Sequence, residues 1–242
     1  MSALLEKENN SAITPITPSD LNNPVTFPTF WGLPSEYEIN DTYLYSTKPR
    51  KHWCFLGKII SSSVLVRLAL EVEDKEGHRL LVAFHTDDRG AAFLDQCKEG
   101  HTIAVLYATQ HTFAFSPPGL RLEQDVHVKI FPYSLDEMLE ASSELFEKGM
   151  AKRCDGCDKT DTPLKKCSAC NGAWYCSKGC QTDCWQAHKQ RCPILKEIQW
   201  FARKNWENSV HQYFFPRHPR GWHVPQRSRN ALPNMMPQAR GF

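Results

Sequence analysis

The chain carries four close pairs of metal-binding residues between positions 154 and 192: Cys154-Asp-Gly-Cys157, Cys167-Ser-Ala-Cys170, Cys176-Ser-Lys-Gly-Cys180 and His188-Lys-Gln-Arg-Cys192. Seven cysteines and one histidine supply eight ligands, which is enough for two tetrahedral zinc ions. A Cys-x-x-Cys pair forms a tight turn, and residues spaced i, i+4 lie on one face of a helical turn. Because so short a segment buries too little surface to fold alone, the sequence predicts a module folded by two structural zinc ions.

Two other uses of these cysteines are less consistent with the pattern. A disulfide framework would leave one of the seven cysteines without a partner and needs an oxidising compartment. An iron–sulfur site typically uses cysteines alone, without a His-x-x-x-Cys pair of this kind. We therefore interpret the stretch as a zinc module.

The residues between the ligand pairs show a family resemblance. The order of the pairs, with Trp174-Tyr175-Cys176-Ser177, Cys180-Gln181, Trp185, His188-Lys189 and Cys192, resembles the MYND-type zinc finger over 39 residues. The resemblance implies an interleaved ligation that spacing alone does not determine. In it the first zinc is held by Cys154, Cys157, Cys176 and Cys180, and the second by Cys167, Cys170, His188 and Cys192.

The resemblance also implies a function for two residues that are not ligands. MYND fingers are protein-interaction modules, and several bind proline-rich peptides with a Pro-x-Leu-x-Pro type of motif. In that family the Gln and Trp that follow the sixth ligand line the peptide groove, and they correspond to Gln181 and Trp185 here. An exposed indole offers a flat face to a polyproline-like ligand, and a glutamine can hydrogen-bond its backbone. The alternative is that Trp185 packs inside the finger.

Cys184 departs from the family pattern. The family usually has an acidic residue immediately before the tryptophan, and here Cys184 takes that place, with Asp183 one step earlier. A tenth cysteine so close to the sites could compete as a ligand. Because His188 and Cys192 already complete the second site, we interpret Cys184 as a non-ligand.

The part of the chain before the zinc module reads as a series of short strands. Apolar and polar residues alternate from Val64 to Val72, and a turn at Asp74-Lys-Glu-Gly77 leads into a second alternating run. Further strands are expected at residues 103–107, 113–115 and 126–130, with a short helix over 90–97. About five strands are expected, with the short helix after the third of them if the long first run (residues 53–72) bends into two. This order resembles an OB-fold, the small Greek-key barrel of oligonucleotide-binding proteins. A generic small barrel is the alternative.

The complete prediction is an α+β chain: a small antiparallel OB-like β-barrel, a helix, a two-zinc MYND-type finger, a C-terminal helix and a basic tail. The helix begins with the capping box Ser134-Leu-Asp-Glu137, and a second helix opens at Pro193. The predicted divisions are a disordered leader (1–28), the barrel with an N-terminal arm (29–133), a connecting helix (134–150), the finger (154–192), a helix (193–207) and a basic, proline-rich and aromatic tail (208–242).

Composition indicates where the chain works. Residues 1–8 show no secretory signal and no run of 18 apolar residues occurs, so no membrane association is expected. Ten cysteines favour metal ligation in a reducing compartment, and we expect an intracellular protein, nuclear or cytoplasmic. The formal net charge of +2 favours no class of partner.

We expect no enzymatic activity. Four protein ligands on each zinc leave no position for an activated water. The catalytic domain that accompanies the finger in MYND-containing lysine methyltransferases, with its Asn-His-Ser-Cys-like stretch, is not found in this sequence. Cys54 or Cys97 could pair with His52, His78 or His101 as a nucleophile, but both cysteines are more consistent with packing in the barrel.

The function expected from the sequence is that of an adaptor or regulatory protein whose finger binds a proline-rich motif of a partner, with a role in transcriptional regulation. The alternative is single-stranded nucleic-acid binding through the barrel and tail, with Phe113 and Phe115 as stacking faces. Acidic residues interrupt the basic ones along the predicted strands, so no basic stripe emerges and nucleic acid is the less favoured partner.

Overall fold

A computed structural model describes residues 17–37, 51–207 and 209–216, and the side chains of 148–151 are outside that description. The described residues form an α+β structure with a six-stranded sheet, a two-stranded sheet and three α-helices. The strands are β1 (Cys54–Val64), β2 (Leu68–Asp74), β3 (Arg79–Phe84), β4 (Thr102–Leu106), β5 (Gly119–Leu122), β6 (Val128–Phe131), β7 (Lys165–Lys166) and β8 (Trp174–Tyr175). The helices are α1 (Leu135–Ala151), α2 (Lys178–Asp183) and α3 (Trp185–Ala202). None of the described helices is long and apolar enough to cross a membrane.

The large sheet is curled because its two edge strands are neighbours in sequence. Its order is β5-β3-β2-β1-β4-β6, so β5 and β6 lie at opposite edges. Only residues 123–127 separate them, and five residues span at most about 17 Å. The two edges must therefore approach each other, as they do in a barrel. β5 pairs in parallel with β3 and β6 pairs antiparallel with β4, so the two segments act as one broken fifth strand, the arrangement of an OB-like barrel.

Several predicted strand boundaries were wrong. The alternating run from Val64 to Val72 is interrupted by a hairpin turn, so that β1 ends at Val64 and β2 begins at Leu68. Residues 113–115 are not a strand; they belong to a loop closed by a bridge between His111 and Gly119. The expected helix over 90–97 is only a 3-10 turn at Ala91–Phe93. The alternation of apolar and polar residues predicted one continuous strand because exposed turn residues can continue a period of two by chance.

Two hydrophobic clusters share the strands of the barrel. One fills the barrel interior and includes Phe55, Val105 and Val82. The other lies outside β1 and β4 and joins Leu56 and Ala104 to the helices and the zinc module. All five residues of β4 are buried, which explains why this strand reads as a continuous apolar run rather than an alternating one.

Helix α1 begins as the capping box predicts. The Ser134 amide donates to Glu137 Oε2 at 2.9 Å, and the Glu137 amide donates to Ser134 Oγ at 3.2 Å. Helix α3 differs from the prediction, because it begins at Trp185 and runs through Pro193 without a break. The expected separate helix starting at Pro193 was wrong. A proline inside a helix removes the hydrogen bond to the residue four positions earlier and its ring crowds that residue's carbonyl, and burial of Ile194, Leu195 and Ile198 offsets that cost.

Both ends of the described chain pack against this structure. Residues 17–28, expected to be part of a disordered leader, are folded, and Leu21 and Phe27 are completely buried. Residues 209–216, expected to belong to a basic tail, cross the barrel: the Tyr213 amide donates to the Tyr107 hydroxyl at 2.7 Å, and Phe215 is buried. The expectations for 1–16 and 217–242, including Trp222, fall outside the described residues.

Candidate metal centre

The eight expected ligands meet in two groups. We call the first the outer cluster, and it joins Cys154, Cys157, Cys176 and Cys180. We call the second the inner cluster, and it joins Cys167, Cys170, His188 and Cys192. Within each group the ligand atoms all lie within 4.8 Å of one another. These are the two groups that the interleaved ligation implied.

Distances inside the clusters suit tetrahedral zinc. Four sulfurs bound at about 2.3 Å to a tetrahedral ion lie about 3.8 Å apart. In the outer cluster, Cys176 Sγ lies 3.6 Å from both Cys157 Sγ and Cys180 Sγ. In the inner cluster, Cys167 Sγ lies 4.0 Å from Cys192 Sγ. Together the two clusters fit two structural zinc ions, one held by four cysteines and one by three cysteines and a histidine.

Each Cys-x-x-Cys turn is closed by the residue that follows it. Asp158 and Asn171 have left-handed backbone conformations, with φ of 54° and 55°. Their amides donate to the carbonyls of Cys154 and Cys167 at 2.9 and 2.8 Å. Asp and Asn tolerate this conformation better than other residues with a Cβ. The sequence analysis did not single these two residues out, although an Asp or Asn directly after a Cys-x-x-Cys pair was a readable signal.

Backbone amides support the sulfurs. The amides of Gly156 and Cys176 each donate to Cys154 Sγ at 3.4 Å, and the Gly172 amide donates to Cys170 Sγ at 3.3 Å. Burial raises the pKa of Cys154, but these and neighbouring hydrogen bonds outweigh it and lower that pKa to about 6. A lowered pKa favours the thiolate, which is the form that binds zinc.

Neighbouring sulfurs have the opposite effect on other ligands. Hydrogen bonding with Cys157, Cys180 and Cys154 raises the pKa of Cys176 to about 12. Burial and the nearby Cys170 and Cys167 thiolates raise the pKa of Cys192 to about 12. Four close thiols therefore do not all ionise unless a cation neutralises them, as zinc does when it displaces their protons.

Comparison with protein families agrees with this geometry. The family model of the MYND finger matches residues 154–192. Residues 154–192 form a MYND finger. The match begins at the first ligand of the outer cluster and ends at the last ligand of the inner cluster. It covers the finger alone, so it identifies the metal centre and not the protein as a whole.

Relatives of the chain match it over the MYND finger region. Over 52 residues it is 48% identical to the histone-lysine N-methyltransferase ASHR1 of Arabidopsis thaliana. The aligned stretch covers 22% of this chain and 11% of that protein. Over 46 residues it is 44% identical to the human histone-lysine N-methyltransferase SMYD3, with 19% of this chain and 11% of that protein covered. The chain thus spans about a tenth of the length of these relatives.

Solved structures resemble the chain only weakly. A replication protein A heterotrimer bound to ssDNA aligns with a TM-score of 0.27 and 12% identity, covering 38% of this chain and 66% of that one. Schizosaccharomyces pombe Pot1pC bound to ssDNA aligns with a TM-score of 0.30 and 10% identity, covering 45% of this chain and 99% of that one. The OB-like arrangement of the barrel follows from its own strand order and pairing.

The two residues expected to bind peptide lie on successive helices of the MYND finger. Gln181 is half-buried on α2, whose first turn is capped by Ser177 Oγ accepting from the Cys180 amide at 3.1 Å. Trp185 is the first residue of α3, and its side chain is 43% exposed. Its ring centroid lies 5.9 Å from that of the ligand His188. The inner cluster therefore helps to position the indole.

Cys184 lies outside both clusters. Its thiol donates to the Asp155 carbonyl at 3.7 Å, and it sits between the end of α2 and the start of α3. A Cβ at Gly156 would lie 2.9 Å from Cys180 Cβ and 3.2 Å from Cys184 Sγ. Cys184 and Gly156 therefore pack together, and a side chain at position 156 would push against a zinc ligand.

Two basic side chains of the barrel strands are paired with carboxylates. Arg79 pairs with Glu73 at 3.2 Å and Lys129 pairs with Glu197 at 2.5 Å. Of the two phenylalanines, Phe113 packs on His111 with ring centroids 4.7 Å apart, and Phe115 is fully exposed. These basic side chains face carboxylates, which lowers their attraction for phosphate.

The two barrel cysteines are poor nucleophiles. Both are buried, and burial raises the pKa of Cys97 to about 12 and raises that of Cys54 as well. Both ring nitrogens of His52 are hydrogen-bonded elsewhere, to the Tyr107 hydroxyl and the Ser209 carbonyl. Buried thiols that stay protonated are typical of packing residues.

Proposed function

We propose that this chain is a zinc-binding adaptor or regulatory protein whose MYND finger binds a proline-rich segment of a partner protein. The observation that carries the proposal is the exposed indole of Trp185, held at the start of α3 beside a zinc ligand. A rigid, exposed indole suits the preformed surface of a polyproline-like ligand, because little conformational entropy is lost on binding. Gln181, four residues earlier, would hydrogen-bond the peptide backbone.

The chemistry of the metal centre supports a binding role over catalysis. Each cluster supplies four protein ligands, which completes tetrahedral coordination and leaves no position for a water molecule. The barrel thiols are buried and protonated. We therefore propose that the protein has no catalytic activity of its own. The relatives named histone-lysine N-methyltransferases make transcriptional regulation the process in which we expect its partner to act.

Titration of a Pro-x-Leu-x-Pro peptide tests the binding role. We expect the wild-type protein to bind it and Trp185→Ala to bind at least tenfold more weakly, because the flat contact face is lost. Trp31→Ala is the matched control, since Trp31 is 62% exposed on the N-terminal arm and far from both clusters in sequence. Zinc content should remain two ions per chain in both variants. Equal affinity in all three proteins, or no binding in any of them, would refute the proposal.

A further inference from the structure

An open cleft lies between the MYND finger and helix α1, and we call it the finger cleft. Its volume of about 420 Å³ falls within the range of ligand pockets in proteins. Leu145 of α1 and Tyr175 of β8 form part of its wall. The remainder comes largely from one face of α3, whose lining residues are Ala187, His188, Arg191 and Leu195. The cleft is therefore bounded by three elements that the zinc module holds together.

The accessible wall of the finger cleft is more apolar than polar. Tyr175 and Leu195 are buried beneath it, and Leu145 is half-buried. A Cβ at Gly172 would lie 3.2 Å from Leu195 Cβ and 3.4 Å from Leu145 Cδ1, so the finger, α1 and α3 meet closely here. An apolar wall of this kind suits the methylene groups of a long side chain.

The charged groups of the finger cleft are mostly acidic. Glu144, Asp155 and Asp183 line it together with one cation, Arg191. Arg191 Nη1 lies 2.6 Å from Glu144 Oε1, so these two charges offset each other. Asp155 Oδ2 accepts from the Trp174 amide at 2.7 Å, which fixes that carboxylate, and Asp183 is exposed to solvent at the end of α2. Asp155 and Asp183 therefore give the cleft a net negative charge.

The two zinc sites add to this negative charge. Asp155 directly follows the outer ligand Cys154, and the inner ligand His188 lines the cleft itself. Zinc brings two positive charges, whereas the outer cluster binds it with four thiolates and the inner cluster with three. Both sites thus remain negative when they hold zinc. Because a concave surface in low-dielectric protein concentrates the field, the cleft attracts cations more strongly than an open surface does.

The finger cleft begins beside the exposed indole of Trp185. Asp183 and Cys184, the two residues before Trp185, line the cleft. The Trp185 ring centroid lies 5.9 Å from that of His188, which also lines it. An extended peptide advances about 3.3–3.6 Å per residue. A peptide that lies on the indole therefore reaches the cleft within a few of its residues.

We propose that the finger cleft binds a lysine side chain of the partner protein, a few residues from the proline-rich motif that lies on Trp185. This inference rests on the proposed peptide binding and adds a requirement for the partner's sequence. The four-carbon stem of lysine would pack on the apolar wall, as long charged side chains do elsewhere. Its ammonium has three donors that can address separate acceptors, here the carboxylates of Asp155 and Asp183.

An acidic side chain is the competing occupant, because Arg191 lines the cleft. Glu144 already pairs with Arg191 at 2.6 Å, so a second carboxylate would gain little from that guanidinium. It would also stand near Asp155 and Asp183, which line the same space and repel it. The observations favour lysine, and a glutamate peptide serves as the comparison ligand.

Calorimetric titration of the full, zinc-loaded chain tests the site with matched Pro-x-Leu-x-Pro peptides. The peptides carry lysine, norleucine or glutamate at one of the three positions before or after the motif. Norleucine keeps an unbranched apolar stem without the charge. We expect lysine to bind about threefold to fivefold more tightly than norleucine at one or two of these positions, and glutamate more weakly than either. The advantage of lysine should fall as the salt concentration rises.

Two cleft variants should change the advantage of lysine in opposite directions. Asp183→Asn should abolish it, and Arg191→Gln should enlarge it because Glu144 is then no longer offset. Asp161→Asn is the matched control, since Asp161 is an exposed aspartate of the finger that lies outside the cleft and should leave the advantage unchanged. Each variant should retain two zinc ions per chain. If Arg191→Gln loses zinc, Asp183→Asn decides the matter, because Asp183 is exposed.

The outcomes separate this site from the proposed peptide binding. Equal affinity of the lysine and norleucine peptides at every position would overturn the lysine site while leaving peptide binding intact. No binding of any peptide would overturn both proposals. An advantage of lysine that persists in Asp183→Asn would assign the lysine to another surface, and tighter binding of glutamate would reverse the charge assignment.

Discussion

The outer and inner clusters have similar coordination but different surroundings. The inner ligands are almost completely buried, with exposures from 1% for Cys170 to 8% for His188. In the outer cluster Cys154 is completely buried, but Cys157 is exposed and Cys176 and Cys180 are partly exposed. The inner sulfurs belong to the same hydrophobic cluster as Leu56 and Ala104 of the barrel. The outer zinc site therefore lies near the surface of the MYND finger, and the inner site is part of the hydrophobic core that joins the finger to the barrel.

Helix α3 connects the inner cluster to the barrel. Its first half carries the ligands His188 and Cys192, and its second half buries Ile198 and Phe201 against the barrel side of the core. Arg191 pairs with Glu144 of α1 at 2.6 Å, and Lys129 of β6 pairs with Glu197 at 2.5 Å. Loss of the inner zinc should therefore destabilise the barrel, whereas loss of the outer zinc should destabilise only the MYND finger.

The largest expected effect comes from removing one ligand from each cluster in turn. Cys192→Ala and Cys157→Ala should each lose one zinc ion, and structural zinc contributes on the order of 10–16 kcal/mol to folding. We expect Cys192→Ala to disrupt the inner cluster and to speed amide hydrogen exchange in β1 and β4, because their outer faces lose their cover. Cys157→Ala should leave exchange in those strands as in wild type.

Zinc content and hydrogen exchange measured on the same samples check this difference. Each variant should retain about one zinc per chain if the clusters bind independently. Equal loss of strand protection in both variants would mean that the outer cluster is as strongly coupled to the barrel as the inner one.

A barrel substitution provides the reverse test. A Cβ at Gly119 would lie 2.2 Å from the Leu81 carbonyl oxygen, at the start of the parallel pairing between β5 and β3. Gly119→Ala should therefore lower the free energy of unfolding by about 1–3 kcal/mol, measured by urea denaturation, while both zinc ions stay bound.

The control for that variant lies in the MYND finger. Gly179→Ala adds a Cβ that meets only Ser177 Oγ at 3.5 Å, on helix α2, so it should be neutral or stabilise by up to about 1 kcal/mol. Release of zinc from Gly119→Ala would show that strain in the barrel is transmitted to the zinc ligands. The barrel and the MYND finger would then be more strongly coupled than expected.

The smallest effect concerns the start of α1, which lies between the barrel and the MYND finger. Ser134→Ala should cost about 0.5–2 kcal/mol at pH 7, because the Glu137 amide loses its acceptor. Hydrogen bonds from Ser134 lower the pKa of Glu137 in the folded protein. Their stabilising effect is therefore present above the unfolded pKa of about 4.3 and is lost as the pH falls through the lower folded value.

Urea denaturation at pH 7 and at pH 3 checks this dependence. The difference in the free energy of unfolding between wild type and Ser134→Ala should shrink at the lower pH. A difference that grows on acidification would contradict the capping box as the cause.

Local signals in the sequence were enough for the features that rest on short-range geometry. The ligand spacings indicated two zinc ions, and Ser134-Leu-Asp-Glu137 indicated the start of α1. Local sequence signals gave wrong predictions where packing between distant parts of the chain decides which residues are helical or buried. Pro193 is a good first residue for a helix, yet burial of Ile194 and Leu195 keeps it inside α3. Leu21 and Phe27 stand among residues typical of a tail, yet the groove beside α1 and α3 buries them completely.

By itself the sequence determined the number of ligands, their types and their spacing, because zinc coordination depends on a few atoms near one another in the chain. Only the tertiary structure decided that one zinc lies in the shared core and the other at the surface. The hydrogen bond from the Tyr213 amide to the Tyr107 hydroxyl likewise joins residues 106 positions apart in the chain, and no local pattern brings such residues together.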